Sequence, residues 1–170
     1  MEKKVKIIVL ASIAAIVVTC GLLALPGQFI LPVEYPSLEA LSGYQFYFHL
    51  GSEVYNNLAK PAGVSGLGIA TIVLLALALC SYAFAKMSSS LVLLGGLLNV
   101  ANAICFFCME VSKKNVYGAN RSFVAVGWVA YFAGAILIIT GLLSIYFAFK
   151  TFMVEKKQIS SKQSYSYLKK

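Results

Sequence analysis

Four long apolar segments, separated by more polar stretches, dominate the pattern of hydrophobic and polar positions along the chain. They cover about residues 5–25, 63–85, 91–111 and 123–149. A helix needs roughly 20 apolar residues to cross the hydrocarbon core of a bilayer, which is about 30 Å thick. The pattern therefore predicts an all-α membrane protein in which four transmembrane helices form a bundle.

Small residues recur along the fourth segment at a helical spacing. Gly127, Gly134 and Gly141 follow one another at intervals of seven residues, so they fall on nearly the same side of a helix. Small side chains let two helix backbones approach closely in lipid. We therefore predict that these glycines are helix-packing positions of the fourth helix. The second segment offers further small positions at Gly66, Ala70, Ala76 and Ala83.

The third segment is the most polar of the four. At about 3.6 residues per turn, one helical face carries Gly95, Asn99, Asn102, Phe106 and Glu110. An amide in hydrocarbon needs hydrogen-bond partners, and such bonds between membrane helices contribute about 0.6 to 2 kcal/mol. We predict that Asn99 and Asn102 face the bundle interior and bind this helix to the glycine positions of the fourth. The alternative is that they line a small polar cavity or bind a lipid headgroup.

Glu110 lies near the outer end of the third segment. Ionisable residues within a membrane are candidates for function. Lys113 and Lys114 follow it by three and four residues, the spacing at which opposite charges meet on a helix. We expect an ion pair at the membrane surface, and Glu110 remains a possible functional polar residue.

A long polar loop, residues 26–62, separates the first two segments. Its aromatic residues Tyr44, Phe46 and Phe48 alternate with other side chains, which favours a short strand or an amphipathic segment. A short helix is predicted from Ser52 to Lys60, with Ser52 as its N-terminal cap. The aromatic side chains fit either a belt at the membrane surface or a surface that binds a partner.

The net charge of +8 is distributed unevenly. Ten of the 14 basic residues fall in the N-terminal stretch, the turn between the second and third segments, and the C-terminal tail. Because cytoplasmic loops carry the excess of lysine and arginine, both termini are predicted to be cytoplasmic and loop 26–62 external. The tail, residues 151–170, is expected to be disordered and to contact anionic lipid headgroups. No folded basic face with interleaved aromatic residues is indicated, so no nucleic acid partner is predicted.

The composition agrees with lipid as the surrounding medium. Hydrophobic residues make up 60% of the chain and charged residues 12%, against about 25% charged residues in a soluble domain. The cysteines, Cys20, Cys80, Cys105 and Cys108, all lie in apolar segments, so we predict free thiols. Cys105 and Cys108 have C-x-x-C spacing, but a structural zinc site needs four ligands and the sequence supplies no second pair. No metal and no cofactor are predicted.

The first segment has a second interpretation. A basic start, an apolar stretch and Cys20 resemble the signal peptide of a bacterial lipoprotein, which is cleaved before that cysteine. Thr19 is larger than the residues that such cleavage sites prefer, and the chain stays apolar from Leu22 to Leu25. We therefore predict an uncleaved spanning helix.

These features limit the function only broadly. The one histidine, His49, lies in the long loop, and the apolar segments hold no pair of carboxylates, so nothing in the pattern indicates catalysis. We predict a non-enzymatic integral protein of the cell membrane, an accessory subunit that binds a protein partner or further copies of itself. The alternatives are a small transporter or channel component that uses the Asn99–Asn102 face, and a membrane enzyme that acts on lipid.

The order of the segments resembles that of a known group. A basic start and a first span lead to Ser42-Gly43-Tyr44 in the long loop, and two spans then follow with a tight turn between them. A short loop and a glycine-rich span complete the order. This layout is similar to that of small uncharacterised four-span membrane proteins of low-GC Gram-positive-type bacteria. It also resembles claudin-like tetraspans, without their signature of a tryptophan, a Gly-Leu-Trp and two cysteines. The resemblance implies a four-helix fold in a cell membrane and no assigned activity.

Overall fold

Helices make up most of the protein. The computed structural model describes residues 3–26, 28–32, 40–48, 65–111 and 124–167, with residues 32, 124 and 155–167 described by backbone alone. The helices are α1 (Lys3–Ala24), α2 (Gly43–Phe48), α3 (Gly66–Ala83), α4 (Ser89–Phe107) and α5 (Trp128–Tyr167), and the strands are β1 (Ile30–Pro32) and β2 (Val124–Val126). All the helices except α2 are long and apolar enough to cross a membrane, α5 over Trp128–Val154. An all-α membrane protein with four candidate spanning helices is thereby confirmed.

Local sequence determines where the spanning helices begin. Ser65 caps α3 because its Oγ accepts a hydrogen bond from the Gly68 amide at 3.0 Å. Ser88 caps α4 in the same way, with the Ser90 amide as donor at 3.1 Å. Helix α1 ends just before Pro26, which cannot continue a helix. The observed spans therefore begin and end within five residues of the predicted limits.

The four spanning helices form a closed antiparallel bundle in sequence order. The contact between α4 and α5 is the most extensive, α3 packs against α4, α1 packs against α5, and a smaller contact between α1 and α3 closes the ring. Val5 and Thr151 line one cavity at one end, whereas Gln28 bonds to Trp128 at the other, so α1 and α5 are antiparallel. Many large apolar side chains on the outside are exposed, as expected of a surface that faces lipid.

The two ends of the bundle differ in character. The end at which α1 begins, which we call the basic end, carries five exposed lysines: Lys3, Lys4, Lys6, Lys86 and Lys150. At the opposite end the strands β1 and β2 and the helix α2 form a small folded unit, which we call the cap. The strands are antiparallel, with Ile30 opposite Val126 and Leu31 opposite Ala125. Leu41 extends this pairing, because it exchanges two backbone hydrogen bonds with Ile30 at 2.9 and 3.1 Å.

The aromatic segment of the cap is a helix, so of the two predicted alternatives, a short strand or an amphipathic segment, the strand is wrong. Ser42 and Gln45 explain the difference. The Ser42 amide donates to Gln45 Oε1 at 2.9 Å, and the Gln45 amide donates to Ser42 Oγ at 3.2 Å. This reciprocal arrangement is a capping box, which starts a helix. The helix predicted from Ser52 to Lys60 lies outside the described residues.

Helix α5 differs from its prediction at both ends. It begins at Trp128 and not at 123, because residues 124–126 form β2. At its other end it continues to Tyr167, through most of the tail for which the sequence predicts disorder. No proline or glycine follows Gly141, and residues 155–163 are rich in lysine and glutamine, which are good helix formers. The backbone therefore meets no signal that ends the helix.

Candidate functional site

The polar face of α4 is buried in the bundle. Asn99 and Asn102 both have 0% of their surface exposed, and Gly95 and Phe106 are buried on the same face. Gly141 of α5 lies so close that a Cβ added to it would be 3.2 Å from the Asn99 Cβ. The two amides therefore lie at contacts between helices and away from lipid.

Asn99 belongs to a group of hydrogen-bonded side chains from all four spanning helices, which we call the polar network. Its Nδ2 donates to Tyr82 Oη of α3 at 3.4 Å and lies 3.5 Å from Thr140 Oγ1 of α5. Tyr82 Oη donates to Ser144 Oγ at 2.9 Å, and Ser144 Oγ lies 3.0 Å from Ser12 Oγ of α1. The network thus connects α1, α3, α4 and α5 through neutral side chains.

The direction of these hydrogen bonds follows from the hydroxyl group of Ser144 in α5. Ser144 Oγ donates its own proton to the Thr140 carbonyl oxygen at 2.9 Å. It therefore accepts from Tyr82, and Ser12 supplies the proton of the remaining bond. Tyr82 reaches this position because Gly95 leaves room for its ring. A Cβ at Gly95 would lie 2.9 Å from two ring carbons of Tyr82.

The sequence predicts that Asn102 binds α4 to the glycine positions of α5, but its side chain bonds to α3 instead. Its Nδ2 donates to the Thr71 carbonyl oxygen at 3.2 Å. Among the described residues, neither Asn99 Oδ1 nor Asn102 Oδ1 has a hydrogen-bond partner. Amides and hydroxyls stay neutral at physiological pH, so these groups can join helices and accept a hydrogen bond but do not provide a general base.

Two of the three predicted glycine positions lie in the contact between α4 and α5. A Cβ added to Gly141 would lie 2.9 Å from the carbonyl oxygen of Gly96. A Cβ added to Gly134 would lie 3.1 Å from the Phe107 ring and 3.2 Å from the Phe106 Cβ. At both places the absence of a side chain allows the helices to approach each other.

Gly127 has a different role, because it precedes α5 and belongs to the cap. Its amide donates to the Phe29 carbonyl oxygen at 2.7 Å. A Cβ added to it would collide with the carbonyl oxygen of Gln28. The prediction of one helical row of glycines is therefore wrong at Gly127, where the close approach joins two segments outside the spans.

Glu110 lies apart from the polar network. Helix α4 ends at Phe107 with Cys108 as its C-terminal cap, and Glu110 beyond it is exposed. The sequence spacing predicts that Glu110 shares the buried face of α4, but Glu110 does not lie on that face. Its predicted ion-pair partners, Lys113 and Lys114, lie outside the described residues.

The cysteines do not form a metal site in the described part of the chain. All four thiols are free, with Cys105 and Cys108 half-buried near the end of α4. In the ranges that the structure describes, no group of three or more histidine, cysteine, aspartate or glutamate side chains is placed to hold a metal ion.

A second buried group, which the sequence pattern did not predict, lies under the cap. The rings of Phe29, Phe46 and Tyr47 are at most 1% exposed and have centroids 5.4 to 6.0 Å apart. The Tyr47 ring packs on Gly68 of α3, where a Cβ would collide with it. These aromatic side chains attach the cap to the bundle. Of the aromatic residues predicted to form a belt at the membrane surface or a partner-binding surface, Phe46 is buried in this group, Tyr44 is half-buried and Phe48 is exposed.

Two tyrosines of α2 are held in their neutral form. Burial raises the pKa of Tyr47 well above its usual value, and the nearby Thr71 side chain opposes this with a smaller effect. Burial also raises the pKa of Tyr44, with a smaller effect of neighbouring Cys20. Tyr44 Oη reaches the Cys20 carbonyl oxygen at 3.4 Å, whereas Tyr47 Oη has no hydrogen-bond partner among the described residues. The cap thus buries a hydroxyl whose ionisation the fold opposes.

We expect Tyr47→Phe to keep or raise the melting temperature in detergent at pH 8, because an unpartnered buried hydroxyl costs about 1 to 3 kcal/mol. A pKa raised on folding means that stability is retained below about pH 10 and falls as the pH rises above it. Above pH 10, Tyr47→Phe should therefore be destabilised less than the wild type. Thermal unfolding at pH 8 and above pH 10 checks both results, with Tyr82→Phe as the control that breaks bonds. Equal losses of melting temperature in Tyr47→Phe and Tyr82→Phe at pH 8 would contradict this account of Tyr47.

The described residues thus contain two buried groups of candidate interest, the polar network between the spanning helices and the aromatic side chains under the cap. Neither contains an ionised side chain. Neither the known protein-family models nor the curated protein sequences contain a match to this chain.

Proposed function

We propose that this chain is a non-enzymatic, multi-pass protein of the cell membrane that acts as an accessory or partner-binding subunit. The observation that supports this most is the use of the polar network, in which Asn99, Tyr82 and Ser12 donate to neighbouring helices. A solute pathway needs polar groups that face a space within the membrane. The polar groups here hold the four helices to one another.

The segments outside the spans are the proposed contact surfaces. Loop 26–62 is the longest of them, and the tail is the most basic. Helix α5 continues 13 residues beyond its apolar part, from Val154 to Tyr167, which is about 20 Å at 1.5 Å per residue. This length carries a lysine-rich sequence away from the bilayer. It suits contact with anionic lipid headgroups, a protein partner or another copy of this chain.

The basic end is proposed to face the cytoplasm, with the cap outside the cell. Whole-cell labelling with a membrane-impermeant maleimide tests this in a variant whose four native cysteines are replaced by alanine. A cysteine at exposed Phe48 in the cap should react from outside. A cysteine at exposed Met87 in the α3–α4 turn should react only after the membrane is opened. The reverse order of labelling would overturn the orientation.

The alternative is a small transport component, and the two unpartnered amide oxygens favour it. Asn99 Oδ1 and Asn102 Oδ1 are on one face of α4, and each has a free acceptor position among the described residues. A small hydrated cation or a water molecule is a ligand for such oxygens. A transport function then requires that solute flux depend on these two amides, and not only that the amides stabilise the bundle.

The double variant Asn99→Ala, Asn102→Ala separates these two functions. We expect the free energy of unfolding in detergent to fall by about 2 to 4 kcal/mol, because two interhelical bonds are lost and two cavities form. Leu97→Ala on the lipid-facing side of α4 is the matched control, with an expected loss of about 0.5 kcal/mol or less.

Reconstituted vesicles provide the second measurement. Proton and potassium flux through vesicles that contain the wild-type protein should equal that of empty vesicles, and the double variant should not change it. A flux that the wild type supports and a folded double variant lacks would establish the transport alternative.

A further inference from the structure

The basic end contains an open pocket that is separate from the polar network and from the cap. Helices α1 and α5 and the turn before α4 enclose a volume of about 170 Å³. Its floor is apolar and consists of Val5, Ala85 and Val92, all buried. Its rim is polar and includes Lys86 and Ser88. The pocket therefore has an apolar floor and a rim that carries a positive charge.

The rim offers donors to an anion. Lys86 is exposed in the turn between α3 and α4, and its ammonium group can rotate into the pocket mouth. Ser88 Oγ accepts a hydrogen bond from the Ser90 amide at 3.1 Å, which leaves its own proton to donate. The positive end of the α4 dipole adds to this field, since Ser88 is the N-terminal cap of that helix.

The surroundings strengthen the positive potential. Val5 of the floor lies between Lys4 and Lys6, and both lysines are exposed. Glu110, the one carboxylate whose side chain the structure describes, lies near the opposite end of the bundle, whereas Glu155 is in α5 four residues beyond Thr151. Charges of one sign around a cleft raise the local concentration of ions of the other sign.

We propose that this pocket binds a phosphate group, with the Lys86 ammonium and the Ser88 hydroxyl as donors. The volume of about 170 Å³ equals that of nearly six liquid waters at about 30 Å³ each, which is sufficient for the five heavy atoms of a phosphate. The apolar floor favours a phosphate that carries a glycerol ester, as in a membrane lipid, over free phosphate. The proposal concerns a site between helices, to which the tail contributes its first residue, Thr151, and it holds for either orientation of the protein.

Lipid binding to the full chain in detergent tests the proposal. The probes are a short-chain phosphatidylglycerol, the diacylglycerol with the same chains, and inorganic phosphate as a competitor, with bound lipid counted by native mass spectrometry. Phosphatidylglycerol should bind about tenfold more tightly than diacylglycerol, since only it offers a charged acceptor. Displacement by millimolar inorganic phosphate identifies a soluble phosphate as the source, and no displacement identifies the lipid headgroup.

Variants of single lysines locate the site. Lys86→Gln should weaken phosphatidylglycerol binding about tenfold, while Lys86→Arg retains it. Lys4→Gln removes the same charge from the same end but is not part of the pocket lining, so it should weaken binding less than about twofold. The melting temperatures of both glutamine variants without lipid should match the wild type, since both lysines are exposed.

Three results would overturn the proposal. Equal losses for Lys86→Gln and Lys4→Gln would show that surface charge alone attracts the lipid. Equal binding of diacylglycerol and phosphatidylglycerol would show that the phosphate is not recognised. The absence of binding by both phosphatidylglycerol and inorganic phosphate would show that the pocket is not a phosphate site.

Discussion

Alanine at Gly141 should force α4 and α5 apart and lower the free energy of unfolding by about 2 kcal/mol or more. The added Cβ would lie 2.9 Å from the Gly96 carbonyl oxygen and 2.9 Å from the Val100 Cγ2. A backbone oxygen cannot rotate away as a side chain can, so the helices themselves must shift. The contact that this shift weakens, between α4 and α5, is the most extensive in the bundle. Chemical or thermal unfolding in detergent measures the loss.

Gly21→Ala is the matched control for this prediction. Gly21 lies in α1, is exposed, and has no atom of another segment within 4 Å of an added Cβ. Alanine there should leave stability unchanged or raise it by up to about 1 kcal/mol, because alanine favours helix more than glycine does. Equal effects at Gly21 and Gly141 would show that the α4–α5 contact does not need the missing side chain.

Alanine at Gly127 should disrupt the cap while the spanning helices remain. The new Cβ would overlap the Gln28 carbonyl oxygen, and relief of that overlap must lengthen the bond from the Gly127 amide to the Phe29 carbonyl oxygen. We expect a loss of about 3 kcal/mol that is concentrated in β1, β2 and α2. Amide hydrogen exchange locates it, with faster exchange at Ile30 and Leu41.

Gly66→Ala is the control for the cap. Gly66 begins α3, and nothing lies within 4 Å of a Cβ added there. Its amide exchange should match that of the wild type throughout the cap. Protection of Ile30 that is unchanged in Gly127→Ala would show that the backbone has another way to avoid Gln28.

The number of spanning helices and their approximate limits were predictable because a bilayer fixes the length of an apolar segment. The burial of Asn99 and Asn102 was predictable for a related reason, since an amide in lipid has no partner outside the bundle. Both predictions depend on the medium and not on distant parts of the chain. They needed only the local sequence.

The packing face of α3 was not predictable from small residues alone. Gly66, Ala76 and Ala83 are exposed, while the buried face includes Gly68 and Tyr82. Lipid tails accept glycine and alanine as readily as a neighbouring helix does. A small residue therefore permits close packing without requiring it.

The partners in the polar network depend on tertiary contacts. Ser12 and Ser144 are 132 residues apart in the chain and meet only in the folded bundle. The available signal was the presence of polar side chains in each apolar segment, which are hydroxyls in every segment but the third, where Asn99 and Asn102 take their place. Hydropathy treats the hydroxyl residues as nearly neutral, so it does not separate buried hydroxyls from those that bond to their own helix.

The helical start of α2 was present in the sequence as Ser42-Gly43-Tyr44-Gln45, which has the spacing of a capping box. The alternating aromatic pattern that follows suggested a strand instead. The local hydrogen bonds of Ser42 and Gln45 decide between the two. The alternation covers too few residues to distinguish two periods.

The pairing of β1 with β2 has a consequence for how the protein is made. Ile30 pairs with Val126, and 126 − 30 gives 96 residues between their appearance at the ribosome. At about 5 to 20 residues per second, translation takes roughly 5 to 19 seconds to supply the missing strand. The edge of β1 has no β2 partner for that whole interval, and unpaired edges invite wrong partners. A chain that stops before Val124 therefore leaves this edge of β1 unpaired.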